Sequence, residues 1–284
     1  MAVSPILIDS LDDPRVEIFR DVRDKDLRGR DKLFMAESEM VLTRLLRTPE
    51  RLHSLFLSPN KFERLAGSLQ ALAAHVPVYV ADIDLMTEIA GFHIHRGVLA
   101  AGFRPRPEEL SLDAALGHLK GDAPLTLLLA EGLTNVDNMG GMFRNAAAFG
   151  ADGIVLDPTC CDPLYRKAIR VSMGHVLSIP YVVCDDWIGD VHRLKEQWGI
   201  RLIGAEVTDG AIPLWDIPRF SRLGILFGSE GHGLTGEALA ACDEVCRIPM
   251  DEAVPSLNVA TASAVFLYEL IRPEPRSQAT WLPR

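Results

Sequence analysis

Three stretches of the sequence combine residue types that can act on a bound ligand. The first is Glu131-Gly132-Leu133-Thr134-Asn135-Val136-Asp137-Asn138-Met139-Gly140-Gly141, with Arg144 shortly after it. Asn138 offers an amide that both donates and accepts. Arg144 offers a planar cation able to grip a phosphate or stabilise a developing oxyanion. Taken alone, Asn138 reads equally well as a helix N-cap. The second stretch is Gly228-Ser229-Glu230-Gly231-His232-Gly233. Its glycines let backbone approach a ligand closely, yet the order is not the GxGxxG of a dinucleotide site, and a tight turn explains it as well. The third runs Ile248-Pro249-Met250 and then Val254-Pro255-Ser256-Leu257-Asn258-Val259-Ala260-Thr261-Ala262-Ser263-Ala264. There a hydroxyl and an amide stand at the entry to a helix rich in small residues, and a capped, closely packed helix is the plain reading.

These stretches need rigid elements to position them. From residue 126 onward apolar runs alternate with helical patterns, predicting strands at 126–130, 153–156, 179–183, 201–205, 223–227 and 245–248. Helices are expected at 142–149, 165–173, 187–197, 237–241 and 256–270. Uninterrupted apolar strands between helices predict a parallel sheet covered on both faces. Such sheets bind ligands beyond the carboxyl ends of their strands, where all three stretches fall. The first hundred residues predict a smaller α/β unit, with a helix over 16–47, a strand at 52–57, a helix at 64–74, a strand at 76–80, a short helix at 84–90 and a strand at 97–101. Phe103-Arg104-Pro105-Arg106-Pro107 keeps no apolar period and reads as a linker, its arginines either an RNA contact or ordinary solvated charge. The expected boundaries are 1–105 for the first domain, 106–123 for the linker with a connecting helix at 112–119, and 124–284 for the second.

No apolar run approaches the roughly 20 residues needed to span a bilayer, and no basic segment precedes an apolar one at the N-terminus. A cytoplasmic protein without membrane contact is expected. The five cysteines, at 160, 161, 184, 242 and 246, form no CxxC pair and have no histidines at zinc-finger spacing. They read as reduced core thiols, with no metal expected; Cys242 and Cys246 would share one face if both lay on a helix. A net charge of −10 weighs against nucleic acid. Against that, Arg20, Arg23, Lys25, Arg28, Arg30 and Lys32 gather in one short segment, broken by Asp21, Asp24, Asp26 and Asp31. The segment is either a solvated helix face or a contact to RNA backbone.

In their order and spacing the three stretches resemble the SpoU, or TrmH-like, branch of the SPOUT superfamily of RNA ribose methyltransferases. The likeness covers about residues 124–270: an Asn-x-Gly-x-x-x-Arg opening from Asn138 to Arg144, a Gly-Ser-Glu-Gly-x-Gly centre, and an Ile-Pro-Met…Ser-Leu-Asn-Val close. Arg170-Val171-Ser172-Met173-Gly174 fits the family's Arg-x-Ser-x-Gly segment. Phe34-Met35-Ala36-Glu37 and His95-Arg96-Gly97-Val98-Leu99-Ala100 look like parts of the ribosomal-protein-like RNA-binding domain often fused upstream. Pro255 departs from the pattern, standing where a polar residue often precedes Ser-Leu-Asn.

The resemblance implies a C-terminal α/β domain of SPOUT type, with a parallel sheet closed by a deep trefoil knot, following a small N-terminal α/β RNA-binding domain. It implies S-adenosylmethionine as methyl donor, held by Leu226, Gly228, Glu230, Gly231, Ile248, Met250, Leu257 and Asn258. It assigns catalysis to Arg144, oriented by Asn138 and Ser256, with Arg144 either taking the hydroxyl proton or gripping an adjacent phosphate. The substrate is then a ribose 2′-hydroxyl in transfer or ribosomal RNA, and a homodimer through the C-terminal domain is expected. Arg28, Arg30, Arg166, Lys167 and Arg170 are candidate RNA contacts, with Tyr165 beside them. Two other readings compete: an RNA-binding protein that keeps the fold without turnover, and a nucleotide-binding oxidoreductase.

Overall fold

The computed structural model describes residues 4–21, 32–70, 72, 75–94, 97–251 and 253–271. The N-terminal part contains β1 (Ile6–Leu7), β2 (Leu33–Glu37), α1 (Glu39–Leu45), β3 (Leu52–Leu57), α2 (Pro59–Leu69), β4 (Val78–Val80), α3 (Ile83–Ala90) and β5 (Val98–Phe103). Its sheet has the order β1-β4-β3-β5-β2, parallel on the β1 side and antiparallel where β5 meets β3 and β2. The continuous helix expected over 16–47 does not form among the described residues, and 22–31 of that range lie outside them. Residues 33–37 are a strand instead, because Leu33-Phe34-Met35-Ala36 is apolar on both sides and fills two cores at once. Phe34 and Ala36 face one cluster of buried residues and Leu33 and Met35 another. A run that buries alternate residues in opposite directions satisfies strand period and not helix period. The short helix α1 keeps part of the expected stripe, burying Val41, Leu42 and Leu45.

The connecting segment holds α4 (Leu112–Leu116), flanked by single 3-10 turns. Beyond it come β6 (Leu125–Ala130), α5 (Val136–Phe149), β7 (Gly153–Leu156), α6 (Arg166–Val171), β8 (Tyr181–Val183), α7 (Trp187–Trp198) and β9 (Arg201–Ala205). The chain continues through β10 (Ile212–Pro213), β11 (Arg222–Phe227), α8 (Gly236–Ala241), β12 (Glu244–Arg247) and α9 (Val259–Leu270). The seven strands form one parallel sheet in the order β10-β12-β9-β11-β6-β7-β8. Both faces are covered, as the apolar strands require. Leu128, Ala130, Ile154, Leu156, Ile203, Ile225 and Phe227 face α5 and α9, while Leu127, Leu129, Val155, Leu202 and Leu226 face α4, α7 and α8. Among the described residues no helix is long and apolar enough to cross a membrane.

Helices α5 and α9 lie against one another, and α6 packs across α5. Glycine makes both contacts possible. A Cβ on Gly141 would stand 2.6 Å from the Cβ of Ala260, and one on Gly140 would stand 2.7 Å from the carbonyl oxygen of Ala168. The two sheets also share a core, since Phe34, Ala36, Leu42 and Leu45 join the cluster that contains Leu164, Ala168, Ile169 and Val176. The linker is not free solvated chain: Arg104 pairs with the buried Asp162 at 2.5 Å. Replacing Gly140 with valine is expected to lower stability by about 1–3 kcal/mol, because the overpacked neighbour is backbone and cannot rotate away. Urea unfolding of Gly140→Val against wild type measures it, with an unchanged midpoint as the contrary result.

Candidate active site

The start of α9 sets the geometry of the site. Asn258 is the N-cap, its Oδ1 accepting from the N–H groups of Ala260 at 3.0 Å and Thr261 at 3.2 Å. With the oxygen engaged, the amide nitrogen must be what faces the neighbouring chain. It donates to Oδ1 of Asn138 at 2.7 Å. The oxygen of Asn138 is thereby used, and its Nδ2 donates to Oε1 of Glu230 at 2.8 Å. One residue from each of the three stretches enters this relay, and Asn138 at its centre is buried. Of the two readings of Asn138, the N-cap one does not hold. Helix α5 starts earlier than the pattern suggested and is capped by Asn135, which accepts from Asp137 N and Asn138 N. That releases the Asn138 side chain to look outward.

A pocket of about 490 Å³ opens at the carboxyl ends of β9, β11 and β12. Of the residues expected to hold a ligand, Gly228, Glu230, Gly231, Ile248, Met250, Ser256, Leu257 and Asn258 line it. Leu226 does not. Its side chain is fully buried on the opposite face of the sheet, and strand alternation gives the pocket position to Phe227. His232, the variable residue of the glycine loop, also lines the wall. The loop is closed by paired backbone bonds between Ser229 and Gly233, both 3.1 Å.

Two carboxylates hold this loop in place: Glu206, which the sequence reading missed, and Glu131, which it named only as the start of the first stretch and gave no role. Glu206, directly after β9, accepts from Leu234 N and Val207 N, both at 2.9 Å, and lines the pocket. Glu131, after β6, is buried and accepts from Trp187 Nε1 at 3.0 Å, from Thr235 N at 2.8 Å and from the Thr235 hydroxyl at 2.9 Å. The available signal was position alone: each is an acid immediately beyond the carboxyl end of a parallel strand.

Arg144 is exposed on α5, outside the pocket wall, and makes no hydrogen bond or ion pair among the described residues. The candidate RNA contacts divide. Arg166 pairs with Glu37 at 3.1 Å and lies 3.7 Å over the ring of Phe92, so it joins the two parts of the chain. Lys167 pairs with Asp137 at 2.6 Å. Arg170 is exposed and carries no such partner among the described residues. Arg28 and Arg30 lie outside the described residues. His175 receives a bond from Arg44 of α1 at 2.8 Å.

All five cysteines are free thiols. Burial pushes Cys161, Cys242 and Cys246 up to about 12, which keeps them protonated and unreactive at neutral pH. Cys242 ends α8 and Cys246 lies within β12, so they do not share a helical face.

The family model described as the SpoU rRNA Methylase family matches residues 125–268. An uncharacterized tRNA/rRNA methyltransferase of Mycobacterium tuberculosis is 38% identical over 269 residues, covering 92% of this chain and 90% of that one. The chain belongs to the SpoU methylase family. Another relative of this SpoU protein is the 23S rRNA (guanosine-2′-O-)-methyltransferase RlmB of a Burkholderia species, 30% identical over 82% of this chain and 93% of its own. Among solved structures, the AdoMet-bound rRNA methyltransferase from Sinorhizobium meliloti superposes with a TM-score of 0.79 at 23% identity, covering 94% of this chain and 98% of that one. At that identity the superposition speaks for the fold.

The amide relay makes a test of charge possible. Asn138→Asp replaces the donor facing Glu230 with a second carboxylate, while Asn258 can still donate to it. The variant is expected to lose about 1–3 kcal/mol near pH 8. The loss should shrink toward pH 5, because paired carboxylates raise one another's pKa and then share a proton. Urea unfolding at both pH values checks this, and a deficit independent of pH contradicts the relay.

Proposed function

We propose that this pocket holds S-adenosylmethionine and that Arg144 acts on the RNA hydroxyl presented to it. The reaction is S-adenosylmethionine-dependent methylation of a ribose 2′-hydroxyl in RNA, of the transfer or ribosomal class. The observation that carries the assignment to this pocket is the convergence of Asn138, Glu230 and Asn258 in one hydrogen-bonded chain beside a cavity large enough for a nucleoside-sized ligand.

The residues present fit the donor. Phe227, Ile248, Met250 and Leu257 give apolar surface for an adenine, Gly228 and Gly231 leave backbone accessible, and Glu206 and Glu230 bring negative charge toward a sulfonium. When bound, S-adenosylmethionine supplies an activated methyl group for in-line displacement. The protein's task is then alignment and management of the attacking oxygen. Arg144 bears a guanidinium that stays charged at neutral pH, suited to gripping a phosphate next to the target ribose and stabilising the oxygen as its proton leaves. Asn138 holds Glu230 and Asn258 beside the pocket and Ser256 lines it; neither bonds Arg144 within one chain.

Three finer readings go with this one. The 1–105 segment serves as the RNA substrate-binding domain and 124–284 as the methyltransferase domain, joined through 106–123. The C-terminal segment is threaded as a deep trefoil knot, a reading supported by β12 lying inside the sheet while α9 returns to α5. The active unit is a cytoplasmic homodimer through the C-terminal domain. Arg144 standing outside the pocket of its own chain supports it, as does exposure of Val254 and Leu257 beside that pocket.

Arg144→Lys keeps the charge and loses the planar fork. It is expected to reduce turnover on the order of 10²-fold while S-adenosylhomocysteine affinity stays near wild type. Tritiated methyl transfer to bulk RNA, read beside calorimetry, decides; wild-type turnover in the variant contradicts the role.

A further inference from the structure

Many cations among the described residues of this acidic chain have carboxylate partners. Arg15 pairs with Asp13, Lys61 with Glu39, Arg193 with Asp113 and Asp190, and Arg201 with Glu244. At the seam between the N-terminal part and the methyltransferase domain, beside the paired Arg104, Arg166 and Lys167, stand four arginines without such partners. The single turn His175–Leu177 touches helices α1, α5 and α6, and α6 lies across α5. These elements and the residues just after them carry Arg44, Arg47, Arg144 and Arg170. None of the four has a carboxylate partner among the described residues, although net charge is −10 overall. Glu39, the acid on α1, is turned to Lys61 and Arg64.

The seam is built, and the contact inside it excludes negative charge. Arg44 donates from Nε to the carbonyl of Met173 at 2.8 Å, and its Nη2 lies 2.8 Å from Nε2 of His175. Arginine can only donate, so Nε2 accepts and the imidazole there is neutral. Burial, Arg44 and Arg144 all act to hold it so, in that order. A neutral histidine bonded to Arg44 and facing the charge of Arg144, with no carboxylate paired to either among the described residues, leaves positive charge on both sides of the seam. Arg47 and Arg170 are exposed at its edges, and Arg144 links it to the reaction.

We infer that Arg44, Arg47, Arg144 and Arg170 form one binding surface for the sugar-phosphate backbone of the substrate RNA, with the Arg44–His175 contact fixing the N-terminal part so that its cations line up with Arg144. The inference rests on the assignment of RNA as substrate. It explains how a chain of this net charge holds a polyanion: four arginines without carboxylate partners among the described residues sit on elements that meet at one turn of the seam. It also gives the N-terminal part a positional role, because Arg44 and Arg47 reach the site only through the docked α1.

The test is binding of a fluorescein-labelled RNA hairpin to the full chain by anisotropy over a range of salt. Arg47→Ala and Arg170→Ala are both exposed changes that leave the core intact. Each is expected to weaken binding about fivefold at 0.15 M salt and to flatten the slope of log K against log salt by about 0.7–0.9, the value for one lost phosphate contact. Lys120→Ala, an exposed cation ahead of β6 at the far end of the strands, should leave both unchanged. S-adenosylhomocysteine calorimetry on the same variants should match wild type, separating the RNA surface from the donor pocket. Unchanged affinity and slope in Arg47→Ala and Arg170→Ala overturn the proposal. So does an equal effect of Lys120→Ala, or a wild type that does not bind the hairpin. RNA binding with the expected slopes but no methyl transfer supports this surface and overturns the catalytic assignment alone.

Discussion

Helix α9 opens with two backbone N–H groups that Asn258 must satisfy, and the direction of the amide relay at the site follows from that. Once the Asn258 oxygen faces the helix, its amide nitrogen must face Asn138. Asn138 must then present its own nitrogen to Glu230. A helix cap is ordinarily a local device that contributes about 1 kcal/mol. Here it also fixes which way two amides point and which loop the glycine stretch is tied to. The relay joins segments far apart in sequence at the carboxyl edge of the sheet, and the pocket is the space those segments leave between them.

The sheet makes that convergence possible. Its strands are parallel and its crossovers place the loops after β6, β9, β11 and β12 on one edge. Burial on both faces then sets a strict alternation, which sends Phe227 toward the ligand and Leu226 toward α8. Glu131 and Glu206 pin the glycine loop from two neighbouring strands, so its shape does not depend on the loop's own sequence alone. The N-terminal sheet is fastened to this frame by a continuous apolar core and by Arg166, Arg104 and Arg44, each of which crosses the seam to a specific partner. Docking of this kind fixes how the N-terminal part stands against the larger sheet.

Much of this was legible in the sequence, and the reasons for the gaps are physical. The strands of the larger sheet and the three chemical stretches show locally, because apolar runs and glycine-amide clusters are local patterns. The exact helix starts did not show: Asn135 and Asn138 are both good caps, and only the tertiary partner of Asn138 decides between them. The helix expected over 16–47 yielded to β2 because pairing with β5 uses both faces of Leu33-Phe34-Met35-Ala36. The side chain of Leu226 turns away from the pocket because the strand period within β11 gives that face to Phe227. The Arg44–His175 contact joins residues of different domains and has no local signature. The short strands β1 and β10 exist only through their neighbours, since two residues cannot signal a strand by themselves.

The central claim is that the glycine loop and the amide relay enclose a donor site, and Gly231 allows it to be tested without disturbing the fold. A Cβ at Gly231 would meet no atom within 4 Å, while the residue lines the pocket. Gly231→Leu should therefore unfold at the same urea concentration as wild type and fill space that the donor needs. Calorimetric titration with S-adenosylhomocysteine is the decisive measurement. Saturable binding by wild type and none by Gly231→Leu is the result this account predicts. Absence of binding by wild type, or equal affinity in the two proteins, would contradict it.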